Sequence, residues 1–148
     1  MTRFNLRVYA LITNEFNEIL ISDEFRFGQF FSKFPGGGVE ANEGIQAALF
    51  RELKEELQLE ITSAALFYFN DFYQASAFDN SNLVAFYYRV SIEKNNVQVR
   101  PGQYAIPFFE EQEKQRWVAL QDLDLSDLTF PLDRIALEKL QKELLFTS

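Results

Sequence analysis

Gly37-x5-Glu43-x7-Arg51-Glu52-Leu53-Lys54-Glu55-Glu56-Leu57-Gln58-Leu59 is the stretch that decides the reading of this chain. It follows Phe34-Pro35 and overlaps Gly36-Gly37-Gly38, a tight-turn signal because glycine has backbone freedom that other residues lack. Residues 44–57 then carry helical spacing, with Ala47, Phe50, Leu53 and Leu57 as the expected apolar side. Glu52, Glu55 and Glu56 stand at i, i+3 and i+4, so their carboxylates share one helical face. Like charges at that spacing cost a bare helix roughly 0.2–0.5 kcal/mol per pair. A divalent cation at the face reverses the sign, and oxygen-only ligands suit Mg²⁺, Mn²⁺ or Ca²⁺. Arg51 is four residues before Glu55 and can reach its side chain.

The rest of the chain is compatible with one domain, residues 1–148, large enough to bury a sizeable core. Phe4, Leu6, Val8, Ala10 and Ile12 alternate with mainly polar residues, as a strand does. Asn14 to Asn17 reads as a turn into a second strand at Glu18–Ser22, which completes a hairpin. The aromatic, glycine-containing stretch from Phe25 to Phe31 has no clear period and reads as a loop beside the site. Ile61–Phe72 and Leu83–Ile92 are strand candidates around the Asp79-Asn80-Ser81-Asn82 turn. Val97–Val99 is expected as a short edge strand before Pro101-Gly102. Phe108–Gln115 reads as an acidic loop, Arg116–Leu120 as a strand and Leu132–Leu145 as a closing helix. Helices on both faces of a mixed sheet bury these patterns, so the expected architecture is a three-layer α/β/α sandwich.

The formal charge of −8 opposes broad binding to nucleic acid or anionic membrane. It leaves room for a phosphorylated small molecule whose charge a metal screens. The chain has neither cysteine nor histidine. Disulfides, thiolate nucleophiles, Cys/His zinc sites and a histidine general base are thereby excluded. No run approaches 18 consecutive apolar residues, and the first residues lack a signal peptide's apolar stretch, so a cytoplasmic protein is expected.

The 37–59 run resembles the signature of the Nudix hydrolases: Gly, five residues, Glu, seven residues, then Arg-Glu-aliphatic-x-Glu-Glu-x-Gly-aliphatic. Gln58 replaces the family's Gly, and every other specified position matches. Phe34-Pro35-Gly36-Gly37, Arg116-Trp117-Val118-Ala119-Leu120, the N-terminal hairpin and the C-terminal helix extend the likeness over most of the chain. The resemblance implies a metal-dependent hydrolase, using Mg²⁺ or Mn²⁺, that cleaves the pyrophosphate of a nucleoside diphosphate linked to another moiety. It implies Glu52, Glu55, Glu56 and the carbonyl of Gly37 as metal ligands. Arg51 would orient the glutamates, and Glu43 would support the site near the helix start. Glu55 or Glu56 could take a proton from water, or a later glutamate could: Glu110, Glu111 or Glu113, with Glu111 favoured. Arg26 and Lys33 are candidate phosphate contacts, and Phe27 and Tyr73 candidate base platforms.

The resemblance leaves open a sugar nucleotide, ADP-ribose, a damaged nucleoside triphosphate, a dinucleoside polyphosphate or capped RNA. A rival reading is a non-catalytic nucleotide-binding sensor, which would not need the full glutamate set. A relationship to isopentenyl diphosphate isomerases is disfavoured, because their chemistry uses a cysteine. Homodimer formation is an expectation by analogy.

Overall fold

The computed structural model describes residues 3–97, 99 and 104–147, with backbone alone for 145–147. Seven strands and two long helices appear in the order β1 (Phe4–Thr13), β2 (Glu18–Arg26), β3 (Gln29–Lys33), β4 (Gly36–Gly38), α1 (Ile45–Leu57), β5 (Ala65–Phe69), β6 (Asn82–Ser91), β7 (Gln112–Ala119) and α2 (Pro131–Thr147). The strands form one mixed sheet whose main path runs β3-β2-β1-β6-β5. β1 pairs parallel with β6 over its whole length, from Phe4↔Asn82 to Thr13↔Ser91.

Alternation along β1 sends successive side chains to opposite faces, and each face has its own core. Val8, Ala10 and Ile12 pack with Ala48, Leu49, Leu53 and Leu57 of α1. Leu11 packs on the other face with Leu132, Ala136, Leu137 and Leu140 of α2. The expected sandwich is therefore present, with α1 and α2 on opposite sides.

The sheet splits where the site forms. The β1–β2 hairpin closes on Asn14, whose Oδ1 accepts from the Phe16 and Glu18 N–H groups at 2.8 and 3.1 Å. β1 and β2 are in register at Thr13↔Ile19. Farther along β1, Arg7, Val8 and Tyr9 pair instead with Gly38, Gly37 and Gly36. β2 meanwhile joins β3 on one edge and β7 on the other. The result is a half-sheet, β3-β2-β7, that diverges from the main sheet.

Several local expectations change. Phe25–Phe31 is not a loop: it completes β2 and begins β3, which turn at Phe27 and Gly28, both at positive φ. The triglycine forms β4 rather than a free turn. A Cβ on Gly36 would lie 2.1 Å from the Val8 carbonyl oxygen, so glycine permits this strand contact. β5 is limited to Ala65–Phe69. Gln112–Gln115 belongs to β7 and not to an acidic loop. Of the expected Val97–Val99 edge strand, Val97 follows a 3₁₀ turn at Lys94–Asn96 and Gln98 lies outside the described residues.

The buried side of α1 is Ala48, Leu49, Leu53 and Leu57 rather than the stripe through Ala47 and Phe50. This rotation places Glu52 and Glu56 beside the core. Gln58 takes the left-handed conformation at φ 51° and ψ 32° that a glycine usually occupies. Its Nε2 donates to the Glu55 carbonyl at 3.2 Å, satisfying a helix-end acceptor in a way glycine cannot.

Candidate active site

β4 and α1 meet through Gly37 and Glu52. A Cβ on Gly37 would come within 2.5 Å of the Glu52 carboxylate, so the missing side chain is what lets backbone and carboxylate adjoin. Arg51 locks this arrangement. Its Nε and Nη2 donate to the two oxygens of Glu43 at 3.0 and 2.6 Å, a bidentate geometry. Nη2 also donates to the Gly38 carbonyl at 3.0 Å, and Nη1 to Glu52 at 3.1 Å and Glu55 at 3.3 Å. One guanidinium thus ties β4, the loop before α1 and the helix together. Hydrogen bonds from Arg51 and from the Glu40 N–H hold the Glu43 pKa down at about 2.

The three helix glutamates have different surroundings. Glu52 and Glu56 line a cavity of about 630 Å³ between the two halves of the sheet. Glu55 is directed outward, with its side chain 60% exposed. Across the cavity, β2 contributes Glu24; its register partner on β7 is Glu113, which is not itself among the lining residues. The sequence reading did not select Glu24. Its signal was an Asp23-Glu24 pair interrupting an otherwise apolar strand.

Glu113 is the later-chain glutamate whose charge couples to Glu56. Glu110 and Glu111 are exposed in bends before β7, and the structure does not bring them into the cavity wall. Glu113 Oε1 is buried without a hydrogen-bond partner and lies 3.8 Å from Arg26.

Electrostatics unite these groups. Burial, followed by repulsion from Glu113 and Glu52, pushes the Glu56 pKa up to about 8 despite Lys33. Burial and a hydrogen bond with Glu24 push Glu113 to about 7. Such neighbours release protons as a coupled set. Lys33 is a buried cation, not a surface one: Nζ is 3.1 Å from Glu24 and 5.3 Å from the centre of the Tyr9 ring. Burial opposes its charge, but Glu24 and Tyr9 outweigh that effect and keep its pKa high.

Arg3, Arg7 and Arg26 add cationic lining, while Phe27, Phe31, Phe78 and Phe130 build an aromatic end. Phe78 contacts Phe27, Phe31 and Phe130 at centroid separations of 5.5, 5.6 and 5.7 Å. Arg26, Lys33 and Phe27 therefore reach the cavity, whereas Tyr73 is exposed and outside its lining. On the floor, Asp133 of α2 accepts from the Tyr87 hydroxyl. Burial raises the Asp133 pKa to about 6. Neither residue carries a local sequence signal, because their meeting depends on α2 packing across β6.

A sequence model of the NUDIX domain matches residues 3–140. The chain belongs to the Nudix hydrolase family. A MutT structure from a study of the Aliivibrio salmonicida and Vibrio cholerae proteins is 26% identical, covering 93% of this chain and 99% of that one, with a TM-score of 0.60. The MutT Nudix hydrolase from Burkholderia pseudomallei is 25% identical over 92% of this chain and 97% of its own, with a TM-score of 0.69. An RNA pyrophosphohydrolase from Shewanella frigidimarina is 38% identical over 56 residues, 38% of this chain. That match spans 31% of the relative's length.

Nudix hydrolases in general need divalent metal ions. Two observations fit this Nudix site to such an ion: the glycine-made cradle between Gly37 and Glu52, and the under-neutralised carboxylates at Glu56 and Glu113. Among the described residues, no group of three or more acidic side chains is placed so as to hold a metal ion. No helix among the described residues is long and apolar enough to cross a membrane.

Proposed function

We propose that this Nudix hydrolase is a divalent-metal-dependent pyrophosphohydrolase of free nucleoside diphosphate derivatives, including nucleoside triphosphates. The carrying observation is one cavity that joins the Gly37–Glu52–Glu56 face to a cationic wall and an aromatic end. Its volume falls within the usual ~300–1,000 Å³ of small-molecule sites. The phosphates would occupy the carboxylate and cation end, and the base the end lined by Phe27 and Phe78.

Glu52, Glu56 and the Gly37 carbonyl would hold the cation, with Glu55 able to join by rotation from solvent. When bound, the cation would neutralise phosphate charge and make nearby water more acidic. Arg51 keeps the carboxylates oriented through its bonds to Glu43, Gly38 and Glu52. Lys33 and Arg26 position phosphate oxygens from β3 and β2. As water attacks phosphorus, its proton passes to the interacting pair of Glu56, which lines the cavity, and Glu113, and the bridging P–O bond breaks to release the other phosphate product. The raised pKa of Glu113 suits proton transfer near neutral pH. Glu113 thus shares the role that sequence reasoning favoured for Glu111.

A polynucleotide needs a path of cations beyond the cavity to meet successive phosphates. Here the exposed Arg3 already pairs with Asp79, and Arg26 and Lys33 are committed to phosphate inside the cavity. The net charge of −8 also opposes such a path. Free nucleotides are therefore favoured over RNA 5′ ends. Hydrolysis of nucleoside triphosphates and a 5′-triphosphorylated oligoribonucleotide with Mn²⁺ tests the choice. A kcat/KM at least ~100-fold higher on a free nucleotide is expected, a gap of about 2.7 kcal/mol. Equal or faster turnover of the oligonucleotide would overturn it.

A further inference from the structure

We infer that Asp23, on the face of β2 turned away from the cavity, is a positioning residue that holds Glu113 against the glutamate face of α1. This inference rests on the proposed role of Glu113.

Asp23 is completely buried although it is charged. Its Oδ1 accepts from Ser32 Oγ at 2.6 Å, and its Oδ2 from Tyr104 Oη at 2.6 Å and Arg116 Nε at 2.7 Å. Arg116 Nη2 adds a longer contact to Oδ1 at 3.4 Å. One carboxylate therefore joins β2 to β3, to β7 and to the segment entering β7.

This connection matters because it lies at the end of the β2–β7 ladder that carries Glu24 and Glu113, beyond the part anchored in the two cores through Ile19, Leu20, Ile21, Trp117 and Val118. β1 and β2 pair only near the hairpin, at Thr13↔Ile19, and β7 joins the sheet through β2. Along β2, Asp23 and Glu24 point to opposite faces. Asp23 meets Arg116 on one face, while Glu24 meets Glu113 on the other. A one-residue slip of β7 would turn Glu113 away from Glu56 and bury a mismatched side chain. A buried ion pair is weak evidence for stability, and fixing a register is its best-attested use. Tyr104 extends the same control to the incoming segment, where Phe108 packs on Phe30 and Phe109 on Phe25.

The test is a double-mutant cycle on the full chain, read by Mn²⁺ affinity from electron paramagnetic resonance and by kcat on a nucleoside triphosphate. Asp23→Asn is expected to weaken Mn²⁺ binding or lower kcat by about tenfold, the scale of lost supporting contacts around metal sites. In a Glu113→Gln background the same change is expected to have less than a ~twofold effect, because the coupled partner is gone. An equal penalty in both backgrounds would show general loss of structure and overturn the inference. Wild-type behaviour of Glu113→Gln would also overturn it.

Tyr104→Phe removes one donor from a half-buried position and provides the same cycle if Asp23→Asn fails to fold. Arg116→Lys, which keeps the charge, should recover part of the loss seen in Arg116→Met. If the wild type hydrolyses no nucleotide, the proposed function fails, but the Mn²⁺ cycle still decides whether Asp23 acts through Glu113.

Discussion

Arg51 grips Glu43 with two hydrogen bonds, at 3.0 and 2.6 Å, and uses its remaining donors to hold Gly38, Glu52 and Glu55. Glu43 is thus part of the frame that orients the site. Glu43→Gln should fold and lose about tenfold in kcat. Because its folded pKa is depressed to about 2, its stabilisation is present above the ordinary carboxylate value of 4.5. That contribution is lost as pH falls through about 2. The melting-temperature gap between wild type and Glu43→Gln should therefore be constant at neutral pH and close in strong acid. A gap that grows on acidification would contradict the pairing.

Gly36 and Gly37 should respond differently to alanine. At Gly37 the new Cβ meets the movable end of Glu52, at 2.5 Å. Gly37→Ala should retain most of its melting temperature while losing at least ~tenfold in Mn²⁺ affinity. At Gly36 it meets backbone at 2.1 Å, and the residue has φ +149°. Gly36→Ala should be destabilised by about 3 kcal/mol or fail to fold. Thermal melts with Mn²⁺ titrations separate the two effects.

The raised carboxylates predict a pH trend in metal-free protein. Glu56 and Glu113 bind protons more tightly when folded, so their contribution favours stability below 4.5 and is lost as pH rises through about 7 to 8. Melting temperature should decline over that rise, and Glu56→Gln should flatten the decline. Saturating Mn²⁺ should oppose it, because binding selects the ionised, folded form. A metal-free stability that increases over the same interval would contradict the electrostatics of the site.

Lys33→Met should destabilise the fold by about 3 kcal/mol, because it removes the buried cation on Glu24 Oε2 and leaves that carboxylate only the half-exposed Arg26 on Oε1. Lys33→Met combined with Glu24→Gln should recover part of that loss. Chemical denaturation of the three variants checks this, and additive losses would show that the two residues are not coupled.

Legibility in the sequence followed the range of the interactions. Helix spacing alone displayed the shared face of Glu52, Glu55 and Glu56 and the reach of Arg51 to Glu55, whereas the parts of Gly37 and Glu43 came only through the family resemblance. β1 and β6 were readable from apolar runs and turns. β3 was obscured because Phe30 and Phe31 are both aromatic but face opposite sides, so alternation in hydropathy vanished. The face of α1 was offset because Phe50 packs at the edge of the core while Ala48 occupies its centre. Glu24, Glu113 and Asp133 were harder still: their partners lie on other strands or helices, and strand register brings them together. Gln58 kept the helix-ending conformation despite the missing glycine. Gln58→Gly should shift stability by no more than ~1 kcal/mol, since relieved strain is offset by greater freedom in the unfolded chain.

The most direct test of the central claim is product analysis after incubating the purified protein with nucleoside triphosphates and Mn²⁺, beside Glu56→Gln and a chelated control. The account predicts Mn²⁺-dependent release of a nucleoside monophosphate and pyrophosphate, nearly abolished in Glu56→Gln while its fold persists. Tight nucleotide binding with no hydrolysis under any metal condition would contradict it and establish a binding module instead.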